Sequence, residues 1–271
     1  MKRAIVVAIV SLSGVALAGG RDFIAEHAGA GANSENAQPY IDQFLRVTEQ
    51  ATGWPANSAK GEWVDDAKSA EMAIAERKPG FAILDPEVYF ELRKKHALEP
   101  IGVVKGKTFN KGHYSVVVKD GALKTLADLK GKKLISNHLA SPKYISRVAF
   151  EGKLDVAKEF ALAPNALAPS KPIKAVAKGE ADAALIDDEQ LAAMKDLAPD
   201  LKVIWTSPAL PPTPMVAFTK NATPADKAAF AKALPKLCQD KGKAVCESMF
   251  IDKFAPVDQA TFADAAKRYD K

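Results

Sequence analysis

The sequence predicts an α/β protein built on largely parallel sheets. Three observations carry that prediction. Short apolar runs of strand character alternate with amphipathic helical stretches nearly throughout. Glycine, proline and N-cap residues punctuate the boundaries between them. No internal repeat and no low-complexity segment interrupts the alternation.

The elements follow in order. "RDFIAEHAG" (Arg21–Gly29) reads as a short strand over Phe23–Ala25 leading into a glycine-rich loop. A helix is expected over Gln38–Ala51, since Ile41, Phe44, Leu45 and Thr48 share one face. A second helix is expected over Trp63–Glu76, with Trp63, Ala67, Ala70 and Ile74 spaced for burial. Phe81–Leu84 reads as a strand. The helix after it starts at Asp85 with Pro86 in the first turn and Lys/Arg at its end, as the helix dipole favours. Ile101–Val104 and Tyr114–Lys119 read as strands, Leu126–Gly131 as a short helix closed by glycine, and Lys132–Ser136 as a strand. A helix opened by Ser141-Pro142 runs to about Phe150.

Ala163–Pro172 is expected to be loop, with three prolines. Then come a helix ended by Gly179, a strand over Ala181–Ile186, a helix over Asp188–Asp196 and a strand over Leu201–Ser207. Four of the seven residues of Pro208–Pro214 are proline, which makes a stiff connector. Met215–Lys220 reads as the last strand. Thr223-Pro224 caps a long helix that Pro235 should kink, and Val257–Tyr269 is a terminal helix.

The first residues, "MKRAIVVAIVSLSGVALAGG", have the form of a secretory signal. Lys2 and Arg3 precede an apolar run, and Ala16-Leu17-Ala18 is a small-residue cleavage site. The run is shorter than the ~20 residues a spanning helix needs. Residues 1–18 are therefore expected to be removed and the protein exported to a periplasm. No cysteine stands near the cleavage site, so no lipid anchor is expected. Without Lys2 and Arg3, 36 basic residues face 33 acidic ones, a net +3. These charges interleave along the chain, which describes a solvated surface and not a nucleic-acid groove. Cys238 and Cys246, an even pair at short spacing in an oxidising compartment, suggest a disulfide.

In open α/β sheets, ligands bind beyond the carboxyl ends of strands. Those ends are His27, Asp85, Asn137-His138 and Asp187. Asp85, Ser141 and Asp187 also read as helix caps, and both readings stand. Glu26-His27 is too sparse for a metal site, and neither metal nor cofactor is expected. The chain has no H-E-x-x-H, G-x-S-x-G, G-x-G-x-x-G or Walker sequence, which argues against an enzyme.

Three stretches together resemble the phosphonate-binding branch of the type II periplasmic solute-binding proteins of ABC transporters. They are "LADLKGKKLI", "AVAKGEADAALIDD" and "LKVIWTSPALPPTP". "FAILDPEVYFEL" and "MFIDKFAPVDQATFADAAKRYD" fit the same pattern, so the resemblance covers nearly the whole mature chain. It implies a two-lobed fold: lobe 1 over 19–108 and 210–271, lobe 2 over 109–209, with crossings near Lys105–Tyr114 and Ser207–Pro214. Each lobe would be a mixed, mostly parallel sheet flanked by helices.

The resemblance further implies a monomer that holds a small-molecule ligand in the interlobe cleft and presents it to an inner-membrane permease. The cleft residues it implies are Asp85, Tyr114, His138, Ser141, Lys143, Tyr144 and Asp187. In that branch a serine- and threonine-rich turn wraps the ligand's anion. Here the turn is "HLASPKYIS", where Pro142 brings neither hydroxyl nor N–H. Lys143 and Tyr144 stand where the branch has small residues, and Ser170-Lys171 replaces a histidine. Three other readings therefore stay open beside a phosphonate-like oxyanion: a carrier for a lipid-like or sterol-like ligand, a sensor input for a receptor, and an exported hydrolase.

Overall fold

Strand β1 (Phe23–Glu26) lies between β2 (Gly61–Val64) and β3 (Phe81–Ile83), and both neighbours run parallel to it. The structure, a computed structural model, describes residues 20–27, 34–106, 112–139, 141–162, 168–258 and 260–271, with backbone only at Ser34 and Glu35. The expected export signal, the Gly29–Asn33 loop, the middle of the first crossing and the first half of the Ala163–Pro172 loop lie outside them.

Helix α1 (Ser34–Thr52) buries Ile41, Phe44, Leu45 and Thr48, the face expected from their spacing. The helix expected over Trp63–Glu76 is instead two elements, β2 and α2 (Ala67–Arg77). Trp63 and Val64 are strand-forming residues, and pairing with β1 claims them. Asp66 then starts the helix, its side chain accepting from Lys68 N and Ser69 N, both at 2.9 Å. Helix α3 (Pro86–Leu92) follows β3 and leads into β4 (Leu98–Lys105).

The second sheet begins with β5 (Tyr114–Val118) and β6 (Lys133–Ile135). The single turn α4 (Pro142–Tyr144) runs on into a π-helix over Ile145–Ala149, and α5 (Val156–Glu159) leads to β7 (Ala161–Leu162). Then come α6 (Lys171–Ala177), β8 (Ala183–Asp187), α7 (Asp188–Leu197) and β9 (Lys202–Thr206). The chain returns to the first sheet through β10 (Pro214–Phe218) and α8 (Pro224–Ala233). It ends with α9 (Lys243–Ser248), β11 (Lys253–Ala255) and α10 (Ala260–Asp270). Pro235 ends α8 outright: its residues lie in a 3-10 turn over Leu234–Lys236.

The first sheet has the order β11-β4-β10-β3-β1-β2, the second β7-β6-β8-β5-β9. Both are mixed. β1, β2 and β3 are parallel, as are β6, β7 and β8, while the strands next to the crossings pair antiparallel. The proline connector stays hydrogen-bonded to the other crossing on both sides. Ser207 N donates to Tyr114 O (2.8 Å), Leu210 N to Gly112 O (2.8 Å), and Val104 N to Thr213 O (2.9 Å).

Separate apolar cores sit against each sheet, and a third joins them. Phe90 of α3 is central to the joining core. Its ring lies 5.0 Å from Tyr89, 5.6 Å from Tyr144 and 5.6 Å from Tyr269. Cys238 and Cys246 form the expected disulfide, their Cα atoms 5.4 Å apart.

Candidate functional site

The carboxyl ends of β1, β3, β6 and β8 converge on one buried polar group. From the first sheet come Glu26, His27 and Asp85. Asp85 does not cap α3 with its side chain; it meets His27 Nδ1 at 2.7 Å, and its own N–H donates to Glu26 Oε2 at 2.9 Å. Glu87, two residues further along in α3, reaches toward the second sheet.

From the second sheet comes His138. Ser136 builds its turn, donating to Leu185 O at 2.7 Å and accepting from His138 N at 3.0 Å. The imidazole Nε2 lies 3.2 Å from Asp187 Oδ2, and Nδ1 lies 3.8 Å from Glu87 Oε1. Asp187 does double duty. One oxygen accepts from Gln190 N at 2.8 Å and caps α7, while the other faces His138. Tyr114 stands directly opposite Asp187 in the β5–β8 register.

His138 is 2 % exposed, Glu87 1 %, and Glu26, Asp85 and Tyr114 0 %. Burying this many ionisable groups costs several kcal/mol per ion even after relaxation. A fold that keeps them at one spot marks that spot as a candidate for function. A groove of about 580 Å³ is lined from the first sheet's side by Lys105, Asp252 and Lys253 and from the second's by Asp188 and Glu189, the two residues that follow Asp187.

Ser141, Lys143 and Tyr144 form a second group, one turn further along α3. Ser141 Oγ accepts from Tyr144 N (3.3 Å) and donates to Glu91 Oε2 (3.2 Å). Tyr269 OH donates to the same carboxylate oxygen at 2.6 Å. Burial, and then that bond, push the Tyr269 phenol far above its ordinary value. Lys143 Nζ sits 4.3 Å above the Tyr269 ring, and Tyr144 is buried against Phe90. The turn that the resemblance assigned to an anion thus has a carboxylate at it already, from the chain itself.

Of the expected residues, the structure brings Tyr114, His138 and Asp187 together, pairs Asp85 with His27 two residues before the Glu87 that faces His138, and sets Ser141, Lys143 and Tyr144 beside Glu91 and Tyr269. Sequence reasoning did not select Glu26, Glu87, Glu91 or Gln190. Gln190 was the most findable, since Asp187-x-x-Gln190 is a capping box. Among the described residues no group of three or more His, Cys, Asp or Glu is placed to hold a metal ion.

The profile of a family described as ABC transporter, phosphonate, periplasmic substrate-binding protein matches residues 33–262. The chain belongs to this family. As a periplasmic substrate-binding protein of that group it has solved structural relatives at low identity. A Xanthomonas citri protein bound to chloride superposes with a TM-score of 0.73 at 12% identity, covering 92% of this chain and 98% of that one. A binding-protein component of a Pseudomonas aeruginosa phosphonate transporter gives 0.63 at 20% identity, over 92% and 87%. A Prochlorococcus marinus protein in complex with methylphosphonate gives 0.60 at 12% identity, over 93% and 99%. These likenesses establish the two-lobed periplasmic binding fold of this substrate-binding protein. No curated protein matches its sequence.

Proposed function

We propose that this substrate-binding protein captures a small zwitterion, an oxyanion that also carries hydrogen-bond donors, such as an aminoalkyl phosphonate or sulfonate. It holds the ligand between lobe 1 (19–108 and 210–271) and lobe 2 (109–209) and hands it to an inner-membrane permease. It acts in the periplasm as a monomer after loss of residues 1–18, and it binds without turnover.

The observation that carries this reading is the buried group of Glu26, Asp85, Glu87, Asp187, His27 and His138, drawn from both sheets. Ionised carboxylates only accept, so a ligand resting on them must bring donors. The oxyanion part is supported by the family and by the relative solved with methylphosphonate. A lipid-like or sterol-like ligand fits a polar lining poorly, because it brings few polar groups of its own to set against these. We assign ligand contact to Asp85, Tyr114, His138 and Asp187, and the adjoining α4 wall to Ser141, Lys143 and Tyr144.

Native mass spectrometry of protein taken from its own periplasm, followed by thermal shift with defined ligands, tests the proposal. Aminoalkyl phosphonates or sulfonates should raise Tm by mass action, and more than their plain alkyl counterparts do. Failure of every oxyanion, with stabilisation by apolar molecules alone, would transfer the assignment to a lipid carrier.

A further inference from the structure

Gln190 and Asp187 both face the Nε2 nitrogen of His138. Its side-chain amide lies 2.6 Å from Pro169 O, which can only accept, and 3.0 Å from Asp187 N, which can only donate. Its orientation is therefore unambiguous: Nε2 donates to Pro169 O and to Asn137 Oδ1 (2.9 Å), and Oε1 accepts from Asp187 N. That same Oε1 lies 3.3 Å from His138 Nε2, and Asp187 Oδ2 lies 3.2 Å from it on the other side. Two acceptors facing one ring nitrogen require a hydrogen there.

With Nε2 protonated, Nδ1 in a neutral ring would present a lone pair. It faces Glu87, a carboxylate of the other half of the molecule, at 3.8 Å. A second proton turns that repulsion into attraction. Burial alone favours the neutral ring, but two carboxylates at this range favour the charged one. The Tyr114 ring, stacked on the imidazole face, favours it further. On the Glu87 side the further titratable groups are Asp85, His27 and Glu26. On the Asp187 side it is Asp188, which meets His113 at 3.3 Å.

We propose that His138 is a proton-dependent clasp between the lobes. In the closed form its imidazolium is held by Asp187 of its own lobe and Glu87 of the other. Opening the cleft separates Glu87 from the ring, and one proton returns to solvent. Gln190 is the positioning residue that presents Nδ1 to Glu87. The proposal rests on the reading that the lobes close on a ligand, and it adds that closure takes up a proton. The closed form is then favoured at lower pH and loses that support as pH rises through the range where the ring becomes neutral.

Nitrogen-15 NMR of the histidine ring nitrogens in the full chain tests it without any ligand. The four histidines are assigned by single replacements, His138→Gln among them. At pH 6 both His138 nitrogens should carry protons, and Glu87→Gln should lower its titration midpoint by roughly 1–3 units. Small-angle scattering should show the radius of gyration rising as pH passes that midpoint in the wild type and no such step in His138→Gln. A neutral His138 ring at pH 6, a midpoint unmoved by Glu87→Gln, or a radius constant across the midpoint overturns the clasp. The capture reading fails separately, if no ligand class raises Tm.

Discussion

The Tyr114 ring stacks on the His138 imidazole, their centroids 4.9 Å apart and their planes 28° from parallel. One residue opens β5 at a crossing between the sheets, and the other ends the turn after β6. Such ring pairs contribute about 0.5–1.5 kcal/mol beyond area burial. Tyr114→Phe should keep most of this, whereas Tyr114→Leu should lose it and weaken ligand binding roughly 3- to 10-fold by calorimetry. Equal affinities in the two variants would remove the stack from the site.

Asp187 separates its two duties by substitution. Asp187→Asn retains an oxygen that can cap α7 and loses the charge facing His138. Asp187→Ala loses both. Chemical denaturation should place the alanine variant about 0.5–2 kcal/mol below the asparagine one, the usual worth of a cap. Ligand affinity should drop in both.

Phe90→Ala should cost about 3–5 kcal/mol, as for other buried aromatic truncations. Because its ring joins α3 to Tyr144 and Tyr269, the loss should loosen the lobes together and not one sheet alone. Hydrogen exchange would read this as faster opening in both α4 and α10. A change confined to α3 would contradict it.

Asp270 sets an acid limit on the C-terminal helix. Its carboxylate meets Arg93 at 2.7 Å and Lys94 at 2.9 Å, and the Lys94 bond first of all holds its carboxyl below the ordinary 3.8. A depressed carboxyl adds stability that is present above 3.8 and lost as pH falls through the lower folded value. Amide exchange in α10 should quicken as pH drops through that window, after correction for intrinsic rates, and Asp270→Asn should abolish the step.

Replacing both Cys238 and Cys246 with serine should lower stability by about 2–3 kcal/mol, the chain-entropy value for a loop this short. Guanidinium unfolding with and without reductant checks it. If the wild type is insensitive to reductant, the bridge contributes nothing.

Much of this was legible in the sequence because period and punctuation agreed. The α1 face and the Thr223-Pro224 start of α8 are local properties, and both stand where expected. The four strand ends were also readable, since an α/β alternation fixes where each strand stops. Trp63 was not, because a strand that pairs only with a distant partner leaves a weak local trace. Strands β7 and β11 are short, two and three residues, and escaped for the same reason. No local pattern singles out Glu87 and Glu91, whose partners His138 and Ser141 come from the second sheet's half of the molecule. Their role comes from the packing of one half on the other, which no local pattern encodes.

Glu91 carries the last consequence. Accepting from Ser141 and Tyr269, it occupies from within the chain the turn that the resemblance gives to a ligand's anion. A tethered group acts at an effective concentration on the order of mM even on a flexible linker, and a helix holds it more tightly than that. A free acid arriving at this turn competes with a resident one that never diffuses away. Discrimination against ordinary anions would then be a property of occupancy, set by a rival inside the chain.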